Sequence, residues 1–190
     1  MKKIRENITH ENHETMMSIL NGNTKIRENT KNNIKITLLF LYYTGMRIND
    51  VKQIRIKDLK EIVKTGEIIL LTKKTGKERK LFFSKKAIRE IKSVFNLALE
   101  KKESFIIRKK GNPSKTISDA VYIDTVNKFI QKSLNSDRYS SHSYRASLIT
   151  ELASKSIHPK IIADFMQQSV KTTMRYIRPT ENDLKTCVIR

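Results

Sequence analysis

The segment Ser140-Ser141-His142-Ser143-Tyr144-Arg145 holds the residue types that an anion needs around it. Serines open a helix there, and His142 and Arg145, three apart, project from one face of its first turn. Unpaired amides and the positive end of the helix dipole face the same side, so a phosphate among them would be well held. The stripe continues as Ile149 and Leu152, which face a core and leave the imidazole and guanidinium at its rim. A second candidate is Tyr176 in Met174-Arg175-Tyr176-Ile177. A phenol with a pKa of roughly 10 attacks at neutral pH only if cations stabilise the phenolate or a base takes its proton. Taken singly, His142 and Arg145 fit a capped helix whose Arg and His meet nearby acids equally well, and an isolated tyrosine is usually a core residue.

The densest charge lies between Lys73 and Lys92. Nine cations at 73, 74, 77, 79, 80, 85, 86, 89 and 92 stand against Glu78 and Glu90, a local +7. Much of it surrounds the tip of a predicted hairpin too narrow to bury anything. Lys73, Lys77, Arg79, Lys80 and Lys85 are therefore read as DNA phosphate contacts, with binding that weakens steeply in salt.

These groups hang on a mostly helical frame. Ile34 to Tyr43 is apolar on nearly every side, as in a helix buried in the middle of a bundle. Gly45 supplies a left-handed stop, Asn49-Asp50 opens a short helix through Val51 and Ile54, and Met46-Arg47-Ile48 becomes an elbow fixing Arg47 between two helix ends. Glu67–Thr72 and Glu78–Phe83, joined by Lys-Lys-Thr-Gly-Lys, read as a hairpin. Ser84 caps the next helix, with Ile88, Ile91, Val94, Phe95 and Leu99 on its face. Phe105-Ile-Ile107 is a small strand or loop, and Ser118 starts a helix packing through Val121, Tyr122, Thr125, Phe129 and Leu134. Further helices are predicted over 142–155, 160–167 and 171–177, with a tail helix at 178–190 carrying Leu184 and Val188. Residues 1–29 form a polar segment with one short helix around Met16 and Leu20. The expectation is one α+β, mainly α domain over 1–190, a helical bundle with a small antiparallel hairpin sheet.

Composition narrows the partners. The 190 residues include 39 Lys+Arg against 19 Asp+Glu, a net charge of +20, which points to nucleic acid or an anionic membrane surface. A single cysteine, Cys187, excludes a disulfide framework and a four-thiolate metal site. The start turns polar straight after its lysines, unlike a signal peptide, and the longest apolar run is too short to span a bilayer. A cytoplasmic protein that meets DNA or RNA, not a membrane, is expected. His10-x-x-His13-Glu14 offers two of the residues that zinc takes but no convincing third ligand, so no metal site is assigned.

Five fragments in order resemble the catalytic domain of the tyrosine recombinases, the phage integrase family: Thr44-Gly45-Met46-Arg47-Ile48-Asn49-Asp50, Lys74-Thr75-Gly76-Lys77-Glu78-Arg79, His142, Arg145 and Tyr176. The resemblance implies a site-specific DNA recombinase, free of cofactors, metals and nucleotides, acting on double-stranded DNA for a mobile element or in DNA inversion. By the same resemblance Arg47 and Arg145 clamp the scissile phosphate, Asp50 supports Arg47, and Lys74 protonates the departing 5′ oxygen. His142 is the acid/base, Tyr176 the nucleophile forming a 3′-phosphotyrosyl link, and the tail helix docks on a neighbour in an assembly of four.

Two departures stand out. The family places Leu-Gly-His before the tyrosine, whereas this chain has Met166-Gln167-Gln168. Gln168 can donate a hydrogen bond to phosphate but cannot carry a proton, so weakened chemistry is expected. Only 46 residues precede Arg47, so the separate helical DNA-binding domain of the family is not expected within them, and a compact recombinase, a fragment or a reduced relative kept for binding are the readings left open. The alternative is a recombinase-fold DNA-binding regulator, such as a repressor of a mobile element.

Overall fold

The computed structural model of the chain describes residues 6–72, 76, 78–177 and 185. Among them the elements run α1 (His10–Gly22), α2 (Glu28–Thr44), α3 (Ile48–Val51), α4 (Ile56–Thr65), β1 (Glu67–Leu71), β2 (Glu78–Phe82), α5 (Lys85–Lys92), α6 (Asp119–Ser133), α7 (Ser141–Ser154), α8 (Pro159–Met166) and α9 (Val170–Met174). The mainly helical α+β class is thus observed, its sheet a single antiparallel hairpin.

Helix α2 is the axis. Ile36, Leu38, Leu39, Phe40 and Leu41 are all sealed from solvent, because α1, α3, α5, α6 and α7 pack around them. Its buried hydroxyls are satisfied internally: Thr37 donates to the Asn33 carbonyl at 2.6 Å and shares a 2.7 Å bond with the Tyr122 hydroxyl, and Thr44 donates to the Phe40 carbonyl at 2.6 Å. The N-terminal segment is part of this core, with His13, Met16 and Leu20 of α1 buried.

Three local expectations shift. Residues 56–65, passed over in sequence, form α4, which buries Ile56, Leu59 and Ile62 on one stripe. Helix α5 stops at Lys92 and does not extend to Leu99, which is 82% exposed. The Ser93 hydroxyl turns back to the Glu90 carbonyl at 2.7 Å, a local bond that competes with helix continuation. On α6 the buried stripe is Tyr122, Val126, Phe129 and Ile130, while Val121 is 56% exposed.

The hairpin pairs Ile68 with Leu81, Ile69 with Lys80 and Leu70 with Arg79. Leu81 and Ile68 face the core, so the period of two turns Arg79 inward and Lys80 outward. A smaller core of Ile149, Ile162 and Met166 joins α7 to α8, with Tyr176 packed against it. No helix among the described residues is long and apolar enough to cross a membrane.

Candidate active site

The site is assembled where α2 and α8 end. Gly45 closes α2 with φ +56°, and an added Cβ would stand 2.7 Å from Met166 Cε and 2.9 Å from Leu148 Cδ2. Both the left-handed backbone and the lack of room call for glycine. Arg47 follows as the N-cap residue of α3, its carbonyl accepting from the Asp50 amide at 2.8 Å. The expected elbow, with Arg47 between two helix ends, is there.

Arg145 lies in the first turns of α7 and is 5% exposed. Its Nη1 donates to the Gly45 carbonyl at 2.9 Å, and its Nη2 to the Met166 carbonyl and, at 2.9 Å, to Gln168 Oε1. Arg47 Nη2 donates to the Gln167 carbonyl at 3.3 Å, and its Nη1 faces Asp50 Oδ2 across 4.0 Å. Both guanidiniums therefore sit on the carbonyl ends of α2 and α8, where the helix dipoles are negative. Burial, reinforced by the neighbouring Arg47 and Arg79 charges, pushes Arg145 down to about 9. It remains a cation at neutral pH.

The exposed His142 precedes Arg145 by one turn. The amide of Ser141 at the same helix end donates to Asn127 Oδ1 at 2.9 Å, which ties α7 to α6. Arg47, Asp50, His142 and Arg145 line one cavity of about 500 Å³, floored by Met46, Ile48 and Ile123. Tyr176 lies just past α9, half-buried against the Ile149, Ile162 and Met166 core, and is not among the residues that line this cavity. Its amide donates to the Thr173 carbonyl at 3.0 Å, and its phenol acts electrostatically on Arg145.

Gln168 turns its amide oxygen toward Arg145. A guanidinium only donates, so the amide oxygen must face Arg145. Oε1 accepts from Arg145 Nε at 3.2 Å and from Nη2 at 2.9 Å, and Nε2 donates to Thr173 Oγ1 at 3.0 Å. One of the two Nε2 hydrogens is thus engaged by a buried threonine.

The surface cations divide. Lys73, Lys74 and Lys77 lie outside the described residues. Lys80 is on the outward face of β2, 2.9 Å from Glu67 Oε1, and Lys85 is exposed at the start of α5. Arg79, grouped with them by sequence, is corrected: it is 3% exposed and its Nη2 donates to the Thr44 carbonyl at 2.8 Å. A side chain so enclosed does not present a surface contact. Alternation from Leu81 was the signal for its inward direction. Thr173 carried no such signal. The His10/His13 pair is separated in role, since His13 is buried in α1 and stacked on Tyr42 while His10 is exposed.

Fold and site together define a helical domain that gathers two guanidiniums and an imidazole at helix ends around one cavity. The profile of the Phage integrase family matches residues 6–183, and the chain belongs to that family. It is 25% identical over 166 residues to the TnP I resolvase of Bacillus thuringiensis, covering 84% of this chain and 54% of that protein. Tyrosine recombinase XerC of Treponema denticola is 25% identical over 163 residues, covering 76% of this chain and 51% of that protein. The chain spans about half the length of these curated relatives. Among solved structures, XerA recombinase superposes with a TM-score of 0.71 at 13% identity, over 98% of this chain and 64% of that one. The Tn1549 transposon integrase in complex with transposon right end DNA gives 0.71 at 17% identity, over 95% and 64%.

Proposed function

We propose that the chain is the catalytic part of a site-specific DNA recombinase that cuts and rejoins double-stranded DNA through a phosphotyrosyl intermediate. The observation that carries this reading is the meeting of Arg47, Asp50, His142 and Arg145, about a hundred residues apart in sequence, on one cavity; Tyr176, outside its lining, packs on the core that joins α7, the helix of Arg145, to α8. The names of the relatives, a resolvase, a recombinase and a transposon integrase, support it.

In this reading Arg47 and Arg145 hold the scissile phosphate and stabilise the charge that gathers on its non-bridging oxygens. The Tyr176 oxygen attacks phosphorus, its proton passing to His142. The bond to the 5′ oxygen breaks as that oxygen takes a proton from Lys74. A 3′-phosphotyrosyl ester and a free 5′ hydroxyl result, and a second 5′ hydroxyl reverses the step. Asp50 orients Arg47. Bond energy is kept in the ester, so no nucleotide or metal cofactor is called for. Four copies on DNA, linked through residues 178–190, complete the reading, with a mobile element or an invertible segment as substrate.

A second reading, a DNA-binding regulator on the same fold, is favoured by the engagement of the Gln168 amide with Thr173. One assay separates the two. Duplexes selected by the protein from a random pool are remade with a nick beside the scissile position and incubated with it. The recombinase reading expects an SDS-resistant adduct that Tyr176→Phe abolishes; salt-sensitive binding with no adduct supports the regulator.

A further inference from the structure

Arg79 is a buried cation that the chemistry above does not use. Its Nη2 holds the Thr44 carbonyl, the neighbour of the Gly45 carbonyl that takes Arg145. Two guanidiniums thus rest on consecutive carbonyls at the end of α2. Nε and Nη1 of Arg79 are buried as well and have no hydrogen-bond partner among the described residues. The Phe165 ring lies 5.6 Å from its Cζ, a weak compensation for a charge removed from water.

Arg79 also acts electrostatically on Arg145, and Arg47 acts on both. Asp50 is the carboxylate that favours the charge on Arg79 and on Arg145, and it also faces Arg47. Among the described residues the cluster therefore sets Arg47, Arg79 and Arg145 against Asp50. Carbonyl dipoles at the ends of α2 and α8 stabilise these cations without neutralising them. Holding the Thr44 carbonyl needs only a neutral donor such as glutamine, so capping alone does not account for a third buried charge.

We propose that Arg79 is the third guanidinium of the phosphate site, a positioning cation that shares Asp50 with Arg47 and leaves Arg47 and Arg145 undischarged until a phosphate arrives. Being enclosed, it acts through Asp50 and through its field and does not touch the ligand. The proposal rests on the phosphate-binding half of the recombinase reading and is independent of attack by Tyr176.

The test is thermal unfolding of the whole chain at constant ionic strength, with chloride replaced stepwise by inorganic phosphate. A saturable rise in Tm reports phosphate binding to the native state. Removing one nearby charge is expected to weaken the phosphate affinity about tenfold in Arg79→Met. Arg79→Gln, which can still donate to the Thr44 carbonyl, is expected to behave like Arg79→Met, whereas Arg79→Lys, which keeps the charge, retains most of the affinity. Lys110→Met, which removes a charge from an exposed turn, is expected to stay within about twofold of wild type. Wild-type affinity in Arg79→Gln overturns the proposal, as does a wild-type protein with no saturable response. If covalent adducts still form in that case, the recombinase reading stands and only the role of Arg79 falls.

Discussion

Replacing Thr173 by valine removes one hydroxyl from a fully buried side chain and nearly keeps its volume. That hydroxyl takes the Gln168 Nε2 hydrogen bond at 3.0 Å, while Gln168 Oε1 holds Arg145 by two charge-assisted bonds at 3.2 and 2.9 Å. The Thr173 carbonyl receives the Tyr176 amide at 3.0 Å. A continuous brace therefore runs from Arg145 to the backbone of Tyr176. Losing the neutral bond in its middle costs about 1–1.5 kcal/mol, and the weaker 3.3 Å bond that the same hydroxyl donates to the Ser169 carbonyl goes with it. If that loss falls on the relative placement of Arg145 and Tyr176, adduct formation slows roughly five- to tenfold. The assay is single-turnover adduct formation on a nicked duplex, with DNA affinity, measured separately, unchanged within about twofold. Gln168→Leu combined with Thr173→Val is expected to be no slower than the slower single variant, because both break one unit. A direct phosphate donor gives the opposite sign, since valine frees Nε2 to reach the phosphate. A Thr173→Val rate at or above wild type refutes the brace.

Burial pulls His13 down to about 4, with the His10 and Lys86 charges adding to the effect. The unfolded chain takes up this proton near 6.5, so the stability His13 confers is complete above that pH and falls by about 3 kcal/mol as pH drops toward 4. His13→Phe is expected to remove that part of the acid loss in urea unfolding; an unchanged loss contradicts it. Gly45→Ala forces alanine to φ +56° and its Cβ to 2.7 Å from Met166 Cε. It is expected to lower stability by about 1–2 kcal/mol and to slow adduct formation by moving the carbonyl that anchors Arg145, both read on one preparation. Lys85→Met is expected to reduce the slope of log affinity for DNA against log salt by about one, and an unchanged slope removes Lys85 from the interface.

The parts of the site fixed by local chemistry were legible in sequence. Gly45 before Arg47, and serines ahead of His142 and Arg145, specify a helix stop and a helix start whatever surrounds them. The hairpin was legible as a turn between two β-rich runs, but its two faces were not separated. The run of cations reads as a uniformly outward, phosphate-contacting surface, and only Leu81, a core residue two positions on, puts Arg79 inside. On α6, Val121 and Tyr122 are both plausible core residues, and the Thr37 hydroxyl that pairs with Tyr122 comes from α2, far away in sequence. The direction of the Gln168 amide depends in the same way on Arg145 and Thr173. Tertiary partners decided each case where local pattern allowed two answers.

The most direct test of the whole account is to digest the covalent protein–DNA complex and identify the linked residue by mass spectrometry. The account predicts one DNA-bearing peptide, joined through the Tyr176 oxygen to a 3′ phosphate. A link to any other side chain, or cleaved DNA with no link, contradicts it.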